Sequence, residues 1–211
     1  MSAVRLCIVR HGETEWNAAG RVQGQLDVPL SPVGMAQARA VAAVLGRESF
    51  DAIYSSDLIR VRQTAEPVAR LLRLEVILDS RLRERHYGVF QGMTYADAKE
   101  RVPDGYARFR AKDPDYAFGT GESLRGFNER CLAFFDELLE GNRGKSILVF
   151  THGGVLEMLY RHATGRGLST ARDFEIPNAA LNRLQFGTGG WRVDAWADLS
   201  HLTTALDDLP G

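Results

Sequence analysis

Cysteine is scarce in this sequence: two in 211 residues, with seven prolines and no surplus of either charge. Each shortage excludes something. Cys7 and Cys131 stand in no CxxC or zinc-like spacing, so a disulfide framework is excluded and buried, reduced thiols are expected. The 26 basic and 27 acidic side chains nearly cancel. A near-neutral chain argues against coating nucleic acid or a membrane surface, while a local basic pocket stays open. Arg5 interrupts the only apolar stretch near the N-terminus, which is too short for a signal peptide, and no apolar run approaches membrane-spanning length. A cytoplasmic location is therefore expected. Repeats and low-complexity segments are also missing.

What remains is 45% hydrophobic and 25% charged residues, the balance of an ordinary globular protein with a substantial core. Strand and helix signals alternate along it. Leu6–Val9 is a short apolar strand. "SPVGMAQARAVAAVLG" opens on Ser31 as N-cap with Pro32 in the first turn and stops at Gly46. "FDAIYSS" is a second strand. Leu58, Val61, Ala65, Val68 and Leu72 then make one apolar helical face, which Pro67 is expected to kink or interrupt. "EVILD" is a third strand, and Thr94–Gly121 is a polar excursion of short helices and loops. A helix follows, with Leu124, Phe127, Cys131, Phe135 and Leu138 along one stripe. "KSILVFTHGG" is a strongly apolar strand feeding "VLEMLYRHATG", and "NAALNRLQF" and "WRVDAWAD" form a hairpin through "GTGG". This alternation predicts a three-layer α/β/α sandwich with a mostly parallel central sheet. Residues 1–211 are expected to form a single domain with the excursion at about 94–121.

In such sheets ligands bind at the carboxyl ends of the strands. "RHG" and "THGG" both fall there, so His11 and His152 are expected to meet. A strand-end histidine is usually structural. Gly12, however, lets the backbone turn and present the His11 imidazole as a nucleophile toward phosphorus. Arg10, at the end of a buried strand, and Arg60, in the first turn of a helix, are both badly placed for cations unless they share an anion. A phosphoryl group, gripped by guanidinium forks, satisfies both. Arg62 competes with Arg60 but reads equally well as solvated. His152 fits as a charge stabiliser over the phosphoryl oxygens, and Gly153 and Gly154 leave N–H groups open to an anion. Glu84, between Arg83 and Arg85, is either part of a surface ion-pair cluster or the general acid and base. Asn17, Gln23 and Gly24 sit in the loop after His11 and are candidates to complete the phosphate cage, although turn chemistry accounts for them too. A metal is not indicated: no HxxxH, paired DxD or cysteine cluster supplies a shell, and arginine beside a candidate ligand repels a dication.

The ordered segments "RHGETEWN", "GRVQGQLDVPLSPVGMAQA", "YSSDLIRVRQTA", "RERHYGVFQG", "GES" and "FTHGG" together resemble the histidine phosphatase superfamily, in its phosphoglycerate mutase-like branch. The resemblance runs from about Leu6 to about Gly154. It implies His11 as the phosphorylated nucleophile, with Arg10, Arg60 and His152 around the phosphoryl group and Glu84 as proton donor, and it implies neither metal nor other cofactor. "ERHYGVFQG" is similar to the mutase version. Mutases of this kind, though, continue with a lysine and a long basic insertion carrying paired arginines, where this chain has Met93, Thr94 and Tyr95 and a short segment before Glu122. The expected activity is hydrolysis of a small phosphomonoester through phosphohistidine. A phosphoglycerate mutase is the enzymatic alternative and a non-catalytic phospho-ligand binder the other. Neither nucleic acid nor a membrane is an expected partner. A homodimer through the terminal "AWADLS" stretch is compatible with the sequence, as is a plain edge strand.

Overall fold

Alternation of side chains along β1 (Val4–Arg10) organises the whole molecule. Leu6 and Ile8 point into one apolar cluster, and Cys7 and Val9 into another. The same division holds along β4 (Ser146–Thr151), where Ile147 and Val149 face the first cluster while Leu148 and Phe150 face the second. Strands apolar on both faces must be covered on both faces. The computed structural model, which describes residues 2–202, supplies that cover. α2 (Pro32–Leu45) and α3 (Ile59–Leu72) close one side, and α6 (Leu124–Gly141) and α7 (Gly153–Ala163) close the other.

The sheet has six strands in the order β3-β2-β4-β1-β5-β6, completed by β2 (Ala52–Ser55), β3 (Val76–Leu78), β5 (Leu181–Gly187) and β6 (Gly190–Asp198). β1, β2, β3 and β4 pair parallel; β5 runs antiparallel to both β1 and β6. This is the expected α/β/α sandwich with a mostly parallel sheet. β6 takes the sheet edge.

The helix ends follow local chemistry. The Ser31 hydroxyl accepts the Gly34 N–H at 3.0 Å, and the Ser123 hydroxyl accepts that of Gly126 at 3.0 Å. Pro67 does not interrupt α3, which continues from Ile59 to Leu72. A proline costs one backbone bond, and the flanking Ala65, Val68 and Ala69 are buried and hold the helix on the sheet. The excursion is more ordered than a loop. α4 (Tyr95–Arg101) and α5 (Pro103–Arg110) pack around Phe90, Ala98 and Phe118, a small core separate from those of the sheet. Both thiols are buried, which pushes the Cys7 thiol up to about 12 and that of Cys131 upward too. No helix among the described residues is long and apolar enough to cross a membrane.

Candidate active site

Register brings the two histidines together. Arg10 pairs with Thr151 across β1 and β4, so the next residue on each strand emerges at the same edge. The His11 N–H donates to the Thr151 carbonyl at 2.9 Å. The His11 and His152 rings lie edge to face with centroids 5.2 Å apart. Neighbouring β2 delivers Ser56 to the same place, its hydroxyl 3.0 Å from His152 Nε2.

The His11 ring is held in one tautomer. Its Nδ1 lies 2.7 Å from the Gly12 carbonyl oxygen, which can only accept, so Nδ1 carries the proton and Nε2 keeps its lone pair. Burial, then the charges of Arg60 and Arg10, hold its pKa well below the ordinary histidine value, against the opposing pull of the Gly12 bond. The imidazole is therefore neutral at physiological pH. Gly12 is required here, because a Cβ would lie 2.7 Å from the Gly34 carbonyl oxygen.

Among the described residues several buried polar atoms have no partner. Arg10 Nε, Arg60 Nε, His152 Nδ1 and Gln23 Oε1 are buried and make no hydrogen bond. Such groups cost free energy unless a ligand satisfies them. Arg60 is 1% exposed, its two terminal nitrogens donating to the Gly24 and Leu26 carbonyls at 2.7 and 2.9 Å. Burial lowers its pKa to about 10, with Glu84 and Asp27 opposing. Arg10 donates to the Ile176 carbonyl, and burial lowers its pKa as well. His152 is completely buried; burial, then Arg60, His11 and Arg10, hold its pKa well down. Two buried guanidiniums and an imidazole kept neutral, first by burial and then by neighbouring positive charge, face each other without a counter-ion.

Glu84 is in the site and not in a surface ion-pair cluster. Its flanking arginines are engaged elsewhere, Arg83 with the Asp57 carboxylate and Arg85 with the Glu122 and Tyr116 carbonyls. The Glu84 carboxyl accepts the Arg85 N–H at 2.8 Å and the Gly154 N–H at 3.0 Å. This corrects one expectation: the Gly154 N–H is not open to a phosphoryl group, because Glu84 occupies that helix N-terminus. Gly153 packs against Arg10, where a Cβ would stand 3.4 Å from Nε.

The other candidates divide. Asn17 lies in a one-turn helix, α1 (Glu15–Ala18), and not in a loop; its Oδ1 caps the Thr14 N–H at 3.1 Å. That bond orients the amide and leaves Nδ2 as the free donor. Gly24, with φ +53, turns the chain so that its carbonyl meets Arg60. Arg62 is exposed, as its solvated reading has it.

Sequence reasoning missed the scaffold behind these groups. The Thr64 hydroxyl accepts the Gly12 N–H at 3.0 Å and donates to the Arg60 carbonyl at 2.7 Å, tying the turn after His11 to α3. The Asn178 amide donates to the His11 carbonyl at 3.0 Å. Arg130 grips Glu122 with both arms, at 2.7 and 2.8 Å, and also donates to the carbonyls of Arg81, Arg83 and Glu84. Burial raises the Glu122 pKa, and the Arg130 fork and the His86 N–H more than reverse that. The signal was partly visible, since Thr64 and Glu122 sit in the quoted "RQTA" and "GES" segments. Asn178 and Arg130 carry no local signature.

The family model of the histidine phosphatase superfamily (branch 1) matches residues 6–199. The chain belongs to the histidine phosphatase superfamily. It is 37% identical over 202 residues to a metal-independent phosphoserine phosphatase of Arabidopsis thaliana, covering 94% of this chain and 83% of the relative. Phosphoglycerate mutase-like protein 4 of the same plant is 40% identical over 202 residues, with 93% and 86% covered. The solved structure of a mycobacterial glucosyl-3-phosphoglycerate phosphatase superposes with a TM-score of 0.83 at 33% identity, over 92% of this chain and 99% of that one.

In this histidine phosphatase the excursion and the segment after α7 bound a cleft of about 730 Å³, lined by Tyr87, Tyr95, Tyr106, Phe109, Lys112 and Arg172 among others. The aromatic residues of the excursion do two jobs. Phe118 is completely buried and packs it together, while Tyr87 and Phe109, with ring centroids 6.3 Å apart, contact that core and also wall the cleft. Among the described residues no three His, Cys, Asp or Glu side chains converge as a metal site.

Proposed function

We propose that this histidine phosphatase hydrolyses small phosphomonoesters without a metal, through a phosphohistidine on His11. The observation that carries the reading is the locked tautomer: Nδ1–H on the Gly12 carbonyl leaves an unprotonated Nε2 among buried donors that lack partners. In the first step Nε2 bonds to phosphorus, the ester P–O bond breaks, and Glu84, entering as the acid, protonates the departing alkoxide. Glu84, now a carboxylate, takes a proton from water as its oxygen attacks phosphorus. The N–P bond breaks and phosphate leaves. Arg10, Arg60 and His152 offset charge on the equatorial oxygens, and His152 gains through the phosphoryl dianion the counter-charge that its burial withholds. Asn17 Nδ2, Gln23, Gly24 and Gly153 complete the enclosure.

The excursion at about 94–121 shapes the leaving-group side, and residues 1–211 act as one domain in this reading. The short segment between Gly92 and Glu122, where mutases of the resembling kind carry a long basic insertion, leaves the cleft open to the water that a hydrolase needs. Buried reduced thiols suit a cytoplasmic setting.

The test is free phosphate release from a panel of phosphomonoesters with chelator present, for the wild type and for His11→Ala. Wild-type release that His11→Ala lowers by at least about 10³-fold, with an acid-labile phosphoenzyme seen only in the wild type, supports the reading. Retained activity in His11→Ala overturns it. Conversion of 3- to 2-phosphoglycerate outrunning phosphate release replaces it with a mutase.

A further inference from the structure

Two adjacent serines, Ser55 and Ser56, mark the end of β2, and both are completely buried. Ser55 spends its hydroxyl hydrogen locally, on the Ser56 carbonyl at 2.8 Å. Ser56 is fastened to β4, its N–H donating to the Phe150 carbonyl at 3.1 Å. The Ser56 hydroxyl has two contacts: the Leu58 N–H at 3.4 Å and His152 Nε2 at 3.0 Å.

Counting hydrogens assigns the His152 tautomer. A hydroxyl has one hydrogen to give and two lone pairs to offer. One lone pair of Ser56 Oγ takes the Leu58 N–H, which leaves the hydrogen to place. Among the described residues its acceptor is His152 Nε2, and a buried hydroxyl that fails to donate costs free energy. Nε2 therefore keeps its lone pair, and the neutral ring carries its hydrogen on Nδ1. The opposite tautomer would strand two buried groups, the Ser56 hydrogen and the Nδ1 lone pair. This one strands a single N–H, on the His152 atom that has no partner. Both histidines are then Nδ1–H tautomers used in opposite senses. His11 gives its Nδ1–H to the Gly12 carbonyl and offers a lone pair at Nε2. His152 gives its Nε2 lone pair to Ser56 and offers Nδ1–H, with the two ring centroids 5.2 Å apart.

We propose that Ser56 is a positioning residue: its hydroxyl fixes His152 as the Nδ1–H tautomer, so that an N–H and not a lone pair meets the oxygens of a phosphoryl group on His11. This rests on the phosphohistidine reading above. A lone pair in that place would repel the phosphoryl oxygens, whereas a preset N–H stabilises them without reorganising. The same hydroxyl can reverse and accept from Nε2–H when the bound dianion draws a second proton onto the ring. Nδ1–H thus persists in both charge states of His152.

Ring ¹⁵N NMR of the full chain at neutral pH tests it, with His152→Gln assigning the signal. The wild type should show His152 protonated on Nδ1; a ring protonated on Nε2 overturns the proposal before any Ser56 variant is made. Ser56→Ala should let the ring populate Nε2–H, while Ser56→Thr, which keeps the hydroxyl, should retain Nδ1–H. A signature lost in both variants, or in neither, also overturns it. Ser55→Ala, one residue back and equally buried, controls for local damage and should leave the tautomer unchanged. Losing the preset donor should lower both the affinity for inorganic phosphate, read by calorimetry, and kcat/KM for phosphomonoesters by roughly 10- to 100-fold in Ser56→Ala. Wild-type values for both in Ser56→Ala refute the role. Tautomer and phosphate binding need no turnover, so the two readings fail separately. An Nδ1–H tautomer and Ser56-dependent phosphate binding without hydrolysis uphold the positioning role and sink the phosphatase. Hydrolysis through His11 with His152 protonated on Nε2 does the reverse.

Discussion

Replacing Gly154 with alanine separates the chemistry assigned to Glu84 from phosphate binding. In the first turn of α7 the substitution should favour the helix by up to about 1 kcal/mol. The site forbids it. A Cβ at this position would stand 2.0 Å from Glu84 Oε1, 3.0 Å from its Cδ and 3.1 Å from Phe127 Cε1. Phe127 is buried, so the carboxyl has to give way and the 3.0 Å bond from the Gly154 N–H is lost. Losing that bond frees the carboxyl from its position, and misplacing a general acid costs ~10²–10⁴ in rate. An alkyl phosphate, whose alkoxide needs a proton, should lose about 10²- to 10³-fold in kcat/KM by that reckoning. p-Nitrophenyl phosphate leaves without protonation, and kcat/KM reports only the steps through phosphoenzyme formation, so its loss should stay below about tenfold. Its kcat should still fall, because Glu84 also activates the water of the second step. The assay is steady-state phosphate and nitrophenol release, with a thermal melt to show that the variant folds. Equal losses in kcat/KM for both substrates would refute the assignment and point to damage in the phosphate cage. No loss for either would show that Glu84 is not the acid.

Two further predictions concern the histidines and the Arg130–Glu122 pair. Both histidines have folded pKa values below the unfolded value of about 6.5, so the unfolded chain binds more protons once pH drops below that value. Stability is thus full above about pH 6.5 and declines as pH falls toward the folded pKa values; ¹⁵N NMR should show both rings neutral at pH 6.5, with His11 protonated on Nδ1, and a cationic His11 at that pH would refute the nucleophile assignment. Glu122→Gln weakens the Arg130 fork that also holds the Glu84 carbonyl. It should cost ~1–3 kcal/mol, read as a lower Tm, with alkyl phosphate turnover reduced and p-nitrophenyl phosphate kcat/KM nearly unchanged; an unaltered Tm would show that the pair contributes nothing to the fold.

The sequence alone determined the layered fold, because a strand apolar on both faces and a helix with one apolar stripe each have few ways to bury themselves. It also determined which residues were chemically out of place: a guanidinium ending the β1 strand, another opening α3, and a histidine before glycine at two strand ends. Those anomalies are local, and they pointed to an anion before any contact was known. Partnership was decided by tertiary structure. Nothing near Gly154 in the chain says that its N–H is claimed by Glu84, 70 positions away. Nothing near Glu84 says that Arg83 and Arg85 turn from it to Asp57, Glu122 and Tyr116. Asn178 reaches the His11 carbonyl across 167 positions, and a single amide has no periodicity to announce it. Such bonds depend on strand order and register, where the pairing of Arg10 with Thr151 sets which two histidines share an edge. Residue types declare what a side chain needs; only the folded chain brings the atom that meets the need.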